Sequence, residues 1–485
     1  MFLTVNHSMG LIPFSIKLLS KGNKSKLDFY SESLSHALKV SPLATRVDAN
    51  ASHELEKHSS CDDAACSECN EHNGRDVASQ YRPDFAEQLA IITHYLHHEG
   101  NDFVKPYEAA ALALIEGCKD YVEAHRDKRF KKSSFNKAAL DVHEMFKDIY
   151  AVPFAPTTNP TFTFVDLFAG IGGFRLALQN LGGRCVFSSE WDYHARATYL
   201  TNYGEMPFGD ITQDTVKAFI PDNFDILCAG FPCQAFSLAG KRRGFEETRG
   251  TLFFDVAKII KLKQPKAFFL ENVKGLTNHD KGKTLKTILK VLREDLGYYV
   301  PDVQLVNARD FGLAQHRERI YIVGFRSDLG ISSFDYPSPT DCSKTIADIK
   351  EQEAVDSKYY LSQKYLNTLI AHKERHSTKG NGFGYEVLDD DAVANAIVVG
   401  GMGRERNLLV DKRLATMNTL SRYKYEINSE YIRSMTPREW ARLQGYPENF
   451  IIGVCNHAAY RLFGNSVAVP AIEATAKQIL SKLNL

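Results

Sequence analysis

The sequence predicts an α/β protein built on a doubly wound, mostly parallel sheet, with a smaller loop-rich domain and a largely helical N-terminal extension. Three observations carry that prediction. From Phe162 onward, short β-rich apolar runs alternate with segments of helical period. Between about 335 and 430 this alternation dissolves into stretches rich in Gly, Ser and charge. The first 155 residues have a texture unlike either.

Within residues 1–155, positions 44–82 are polar and poor in periodic hydrophobics. Leu89, Ile92, Tyr95 and Leu96 then fall on one helical face, and the Ala-rich run Ala109–Leu114 continues the helical signal. AVPFAPTTNP carries three prolines in ten residues and reads as a linker. The runs TFTFVDLF, CVFSSE, FDILCAG, KAFFLEN and RIYIVGF are continuous enough to be strands buried on both faces of a largely parallel sheet. Between the first two, Phe174, Ala177, Leu178 and Leu181 share a face, and Gly182 stands where a C-terminal cap belongs. A second helix aligns Phe253, Val256, Ile259 and Ile260 before Pro265. Residues 336–430 (TKGNGFGYE, GGMGRERN) form the loop-rich domain. Helical signals return in 431–485, where Ile472, Ala476, Ile479, Leu480 and Leu483 share a face and Pro470 lies near the helix start.

The 485 residues suffice for about three domains, and 44% hydrophobic against 24% charged residues exclude a mostly disordered chain. Lys+Arg and Asp+Glu both total 59, so a polyanionic partner would meet a local basic surface rather than a global field. Nine cysteines are too sparse for a disulfide scaffold and fit a reducing compartment. No stretch approaches the roughly 18–20 apolar residues of a membrane helix. The first residues lack a basic start and a cleavage site, so a cytoplasmic protein without membrane contact is expected.

Candidate chemistry gathers at the strand ends. Asp166-Leu-Phe-Ala-Gly170-Ile-Gly172-Gly173 follows a strand and opens a helix, a turn whose backbone N–H groups can approach a ligand. Glu190, 20 residues past Gly170 and ending the next strand, is well placed for ribose hydroxyls, and Trp191 offers a face for an adenine. The spacing fails G-x-G-x-x-G, which favours a mononucleoside over a dinucleotide. Gly230-Phe-Pro-Cys233-Gln follows strand FDILCAG, where Pro232 fixes the backbone and loop N–H groups can lower a thiol pKa. Cys185 and Cys228, inside apolar strands, read as inert. Glu271 ends the run KAFFL, a costly place for an unpaired carboxylate, on the same sheet edge as Cys233. Gln315-His-Arg317-Glu-Arg319 brings two guanidiniums towards that edge.

In order, DLFAGIGGFR, SSEWD, GDI, GFPCQAFSLAG, ENVKGL, QHRERIYIVGF, TPREWARLQGYP and GNSVAVP resemble the motifs of the DNA (cytosine-5)-methyltransferases of the bacterial restriction–modification type. The resemblance spans about 160–485 apart from the variable stretch. It implies a Rossmann-like fold of the class I S-adenosylmethionine-dependent methyltransferases, and methylation of C5 of a flipped cytosine in a short duplex DNA sequence. Phe168, Gly170 and Gly172 would line the S-adenosylmethionine pocket, with Glu190 on the ribose, Trp191 on the adenine and Asp210-Ile211 at its edge. Cys233 would be the nucleophile, and Glu271 would hold the base through N3 and the amino group. Arg317 and Arg319 would support the base and the catalytic loop, and Asn465 and Val467 would complete the site. Residues 156–335 would then be the catalytic domain, 336–430 the target-recognition domain, and 431–485 a segment returning to the catalytic domain.

Lys241, Arg242, Arg243 and Arg249 would clamp DNA from the loop after Cys233, and Arg404 and Arg406 would reach it from the variable region, where Lys412 and Arg413 add charge. The Thr-Leu dipeptide common in such regions has no counterpart near Ala396-Ile397. A monomer is expected, and the usual setting is protection of host DNA from a cognate endonuclease, while an unpaired housekeeping methylase fits equally; an RNA-acting branch of the family has a smaller variable region. Cys61, Cys66 and Cys69, with His53, His58 and His72 nearby, offer zinc-like spacing, but no second C-x-x-C follows and no metal is expected.

Overall fold

The computed structural model describes residues 85–124, 143, 146–232, 252–340, 344–380, 384–400, 403–413 and 426–485. Cys61, Cys66 and Cys69 lie outside the described residues, as does the loop from Cys233 to Arg249. The chain divides into two compact units, one holding residues 1–96 and 107–147, the other 97–106 and 148–485.

Described parts of the first unit are most of helix α1 (Phe85–His98) and all of α2 (Glu108–Ala124). The α1 face expected from Leu89, Ile92, Tyr95 and Leu96 is buried, but so is every other residue from Ala86 to His98. Its polar side chains tolerate burial partly by bonding within the helix. Thr93 Oγ1 donates to the Leu89 carbonyl at 2.8 Å, and His94 Nδ1 to the Ala90 carbonyl at 3.0 Å.

In the second unit a seven-stranded sheet is formed by β1 (Phe162–Leu167), β2 (Gly183–Ser189), β3 (Ile226–Ala229), β4 (Ala267–Val273), β5 (Tyr298–Tyr299), β6 (Gln304–Asn307) and β8 (Glu318–Arg326); β7 (Gln315–His316) pairs elsewhere. The order is β2-β1-β3-β4-β8-β5, with β6 also paired to β8. From β2 to β4 every pairing is parallel, whereas β8 runs antiparallel to β4, β5 and β6. The run RIYIVGF is as apolar as the others, and an apolar run carries no direction. Its partner β6 precedes it closely in the chain, so no crossover helix is needed. This reversal sets Arg319, at the start of β8, opposite Val273 at the end of β4.

Helices that follow the first strands include α3 (Gly173–Asn180), α4 (Tyr193–Tyr203), α5 (Leu252–Lys263) and α6 (Lys283–Lys290). Phe253, Val256, Ile259 and Ile260 of α5 are buried as their spacing predicts. Farther along lie α7 (Gln363–Ser377), α8 (Pro437–Leu443), α9 (Asn456–Asn465) and α10 (Val469–Leu483). Ile472, Ala476, Ile479 and Leu480 of α10 share one core with Phe174, Ala177 and Leu178 of α3, and Asn180 Nδ2 donates to Glu473 Oε2 at 2.9 Å. The last helix therefore packs on the first strand–helix unit of the sheet. The proline-rich segment is docked rather than free. The Phe154 ring packs at a tilt against Tyr203 and Phe450, and its N–H donates to the Asn202 carbonyl at 3.0 Å.

The variable stretch holds a small sheet of β9 (Val387–Leu388), β11 (Leu408–Val410) and β12 (Ile432–Ser434), backed by Leu366 and Leu369 of α7, while β10 (Ala394–Asn395) pairs in parallel with β7. β12 lies just past residue 430, so the small sheet crosses the boundary expected there. Arg433 is fully buried between Asp411 Oδ2 at 3.0 Å and Glu439 Oε1 at 2.7 Å. Arg413, expected to add basic charge, bonds Asp411 and the carbonyls of Glu351 and Gln352. Burial alone would raise the Asp411 carboxyl, but the Arg413 bonds and the Arg433 charge bring it down to about 2. A depressed carboxylate contributes stability above its unfolded pKa of about 3.9, and that contribution is lost as pH falls through about 2. Asp411→Asn is therefore expected to lower the Tm at pH 7 by more than at pH 3, with the difference shrinking as pH falls towards about 2, as read by thermal unfolding across that range. None of the described helices is long and apolar enough to cross a membrane.

Candidate active site

β1 delivers the chain into a turn of left-handed residues: Phe168 at φ 55°, Gly170 at 56° and Gly172 at 81°. Glycine adopts such angles freely, whereas Phe168 is held there against its preference. The glycine spacing pointed to the turn; nothing in the sequence marked Phe168 as strained. Gly172 caps α3, and a Cβ there would enter the Tyr203 ring, while one at Gly170 would meet nothing within 4 Å. The turn is thus packed behind and open in front.

Glu190 closes this turn from the end of β2. Its Oε2 accepts from the Gly170 N–H at 2.8 Å and its Oε1 from the Asp192 N–H at 2.7 Å. Burial raises the Glu190 pKa against those two bonds. Beside it the Trp191 indole is 80% exposed. Glu190 N–H also donates to the Phe208 carbonyl, which brings Asp210, exposed, and Ile211, buried, alongside. From the other end of the chain, Val467 presses on Gly173, where a Cβ would lie 2.6 Å from its Cγ2, and Asn465 is exposed at the end of α9. Glu190 and Val467, far apart in the chain, therefore both bear on this one turn.

The second half of the site lies at the ends of β3 and β4. Glu271 is 8% exposed, and Arg319 Nε donates to its Oε1 at 3.1 Å. Burial raises the Glu271 pKa, and the charges of Arg319 and Arg317 oppose that rise. Gly230 stands against it, since a Cβ there would lie 3.7 Å from Glu271 Oε2. Asn272 Nδ2 donates to the Phe231 carbonyl at 2.7 Å, tying the strand end that leads into Cys233 to the end of β4. Cys233, Lys241, Arg242, Arg243 and Arg249 themselves lie outside the described residues. Cys185 and Cys228 are buried thiols pushed up by burial, Cys185 to about 12.

The two arginines differ in what they hold. Arg319 bonds Glu271. Arg317, 2% exposed, donates instead to the carbonyls of Ile397 at 3.0 Å, Gly464 at 3.1 Å and Ser466 at 2.5 Å. Burial and the neighbouring Arg319 charge pull it down to about 9, which still leaves it charged at neutral pH. Its guanidinium joins the variable stretch to the GNSV segment, and its charge also acts on Glu271. In the variable stretch, Arg404 and Arg406 are exposed; Arg404 lies over the Tyr460 ring at 5.4 Å.

A family model for the C-5 cytosine-specific DNA methylases matches residues 162–481. The chain belongs to that family. The methylase is 66% identical over 334 residues to the Type II methyltransferase M.HpaII of Haemophilus parainfluenzae, covering 68% of this chain and 93% of that protein. It is 40% identical over 331 residues to the Type II methyltransferase M.HhaI of Haemophilus parahaemolyticus, covering 66% of this chain and 95% of that protein. The S. pombe Dnmt2 methyltransferase shares the fold, with a TM-score of 0.51 at 23% identity over 67% of this chain and 100% of that one. The protein is a DNA (cytosine-5)-methyltransferase.

Two side chains that organise the methylase site carried no role in the sequence reading. Asn272 is one. Gln315 is the other: fully buried, it donates from Nε2 to the Leu443 carbonyl at 2.9 Å and accepts from the Ile397 N–H through Oε1 at 2.9 Å. Each is an amide bounding an apolar strand, a pattern that signals a buried bond but not its partner.

Proposed function

We propose that the methylase transfers the methyl group of S-adenosyl-L-methionine to C5 of a cytosine flipped out of a specific short duplex DNA sequence, by way of a covalent Cys233–C6 bond. The pairing of Glu271 with Arg319, against the strand end that leads into Cys233, carries this reading. The glycine turn suits the cofactor: it is open in front of Gly170, and the fixed carboxylate of Glu190 and the exposed indole of Trp191 stand beside it. Phe168, Gly170, Gly172, Asp210, Ile211, Asn465 and Val467 would complete that pocket. When bound, S-adenosylmethionine supplies an electrophilic methyl group on a sulfonium.

Cytosine C5 is a weak nucleophile. The Cys233 thiolate adds to C6 and drives electron density through N3 and C5, and a proton or hydrogen bond from Glu271 at N3 stabilises it. Arg319 steadies the Glu271 carboxyl. C5 then takes the methyl group, its proton leaves to solvent, and the sulfur is expelled as the double bond reforms. A stacked base cannot be reached, so flipping costs a few kcal/mol. Lys241, Arg242, Arg243 and Arg249 would hold the opened duplex by its phosphates, and residues 336–430, with Arg404 and Arg406, would choose the sequence.

The protein would act as a monomer, shielding host DNA from a cognate endonuclease. Bisulfite sequencing of a methylation-free host expressing the gene is expected to show protected cytosines at one short motif. Unprotected cytosines throughout, with soluble protein present, would overturn the reading.

A further inference from the structure

We infer that His97 is a positioning residue for the cofactor turn, acting through Glu205, Arg175 and Tyr203. The inference rests on the S-adenosylmethionine reading above and deepens it. His97 lies outside residues 162–481, the span matched to the family, so the N-terminal extension supplies part of the working cofactor site.

Glu205 follows Gly204, the left-handed cap of α4, and its carboxylate is fully buried. Arg175 of α3 donates to both of its oxygens, from NH1 to Oε2 at 2.7 Å and from NH2 to Oε1 at 3.1 Å. A buried carboxylate has about four lone-pair sites, so two bonds leave it under-supplied. His97 Nδ1 donates a further bond, to Oε1 at 2.9 Å. The imidazole Nε2 has no hydrogen-bond partner among the described residues, which places the ring proton on Nδ1, facing Glu205. His98 Nε2 stands 3.7 Å from the same oxygen, beyond hydrogen-bond reach.

His97 is itself held from several sides. Its carbonyl accepts from Arg184 NH2 at 3.1 Å, and its ring meets Tyr150 edge-on, with 5.1 Å between centroids. A Cβ at Gly204 would lie 2.9 Å from its Cε1. All of these residues belong to the second unit.

Arg175 carries the constraint to the turn. Its guanidinium lies over the Tyr203 ring at 4.8 Å, and the Tyr203 hydroxyl donates to the Gly172 carbonyl at 2.7 Å. The same ring fills the space where a Gly172 Cβ would stand. Gly172 is the left-handed cap of α3, so the direction of the turn's N–H groups depends on that ring staying in place. Without the His97 N–H, a lone pair of Glu205 is left buried and unsatisfied. The carboxylate then moves on its two remaining bonds, and Arg175 and Tyr203 move with it. Glu271 and Arg319 stand at the ends of β4 and β8, apart from this chain of contacts, so cofactor affinity changes and the chemical step does not.

The test uses the full-length enzyme, with calorimetric binding of S-adenosylmethionine, steady-state kinetics on duplex DNA and thermal unfolding. His97→Phe keeps the ring and removes the donor. It is expected to raise the Kd and KM for S-adenosylmethionine about 10-fold, with kcat at saturation and the KM for DNA within about twofold of wild type. His97→Asn carries an N–H at the position of Nδ1 and should bring the affinity back to within about threefold. Where His97→Phe does not fold, His97→Ala, which forces no apolar edge on Glu205, takes its place with the same expected split.

A folded donor-less variant that binds S-adenosylmethionine as the wild type does would overturn the proposal. So would a joint fall in kcat and in affinity for cofactor and duplex, which marks a packing residue only. His97→Asn no better than His97→Phe would show that the donated bond is not what matters, and would equally end it. Failure of the S-adenosylmethionine reading would appear earlier, as a wild type that binds none.

Discussion

Cys233→Ser is expected to lower methyl transfer by about 10⁴-fold or more while cofactor binding survives. A serine hydroxyl at this position keeps its proton at neutral pH and adds poorly to C6, so C5 is never activated. Burial of Glu271 does not compensate, because stabilising charge at N3 is useful only once addition has begun. Single-turnover transfer of labelled methyl, together with equilibrium binding of S-adenosylmethionine, separates the two effects; retained turnover would remove Cys233 from the scheme. Duplex with 5-fluorocytosine at the target should leave a covalent adduct on Cys233 in the wild type, since fluorine cannot depart as a proton does. Cys233→Ser should form none.

The largest effect on stability is expected at Glu205. Its carboxylate, fully buried, takes Arg175 NH1 at 2.7 Å and NH2 at 3.1 Å, with His97 Nδ1 at 2.9 Å on the same side. Burial opposes charge on Arg175, yet Glu205 keeps its pKa well above the ordinary value. Glu205→Ala strands that cation and should cost about 3–5 kcal/mol in urea unfolding. Arg175→Met combined with Glu205→Leu removes both charges and should recover most of the loss. Arg175 lies on α3, whose first turn carries Gly172 and Gly173. Glu205→Ala should therefore also raise the KM for S-adenosylmethionine. A single variant as stable as the wild type would show that Arg175 is not stranded by loss of Glu205.

The sheet was legible because its strands are short unbroken apolar runs and its helices show clean spacing, as at Phe253, Val256, Ile259 and Ile260. Direction was not, since RIYIVGF reads the same whether parallel or reversed. Glu190 was legible from its distance to Gly170, and Glu271 from the anomaly of a carboxylate ending KAFFL. The task of Arg317 was hidden, because its three acceptors are backbone carbonyls 80 to 149 residues away, and carbonyls leave no mark in a sequence. The docked linker was missed for a related reason. Its prolines suggest freedom, while Phe154, whose ring packs against Tyr203 and Phe450, looks ordinary.

The packing of α10 on α3 has a consequence during translation. A ribosome that has made residues 162–326 has delivered every strand of the large sheet, but neither Val467 to brace Gly173 nor the Gly464 and Ser466 carbonyls that anchor Arg317. Nascent chains arrested before Gly464 would therefore lack these braces and hold an unfinished cleft.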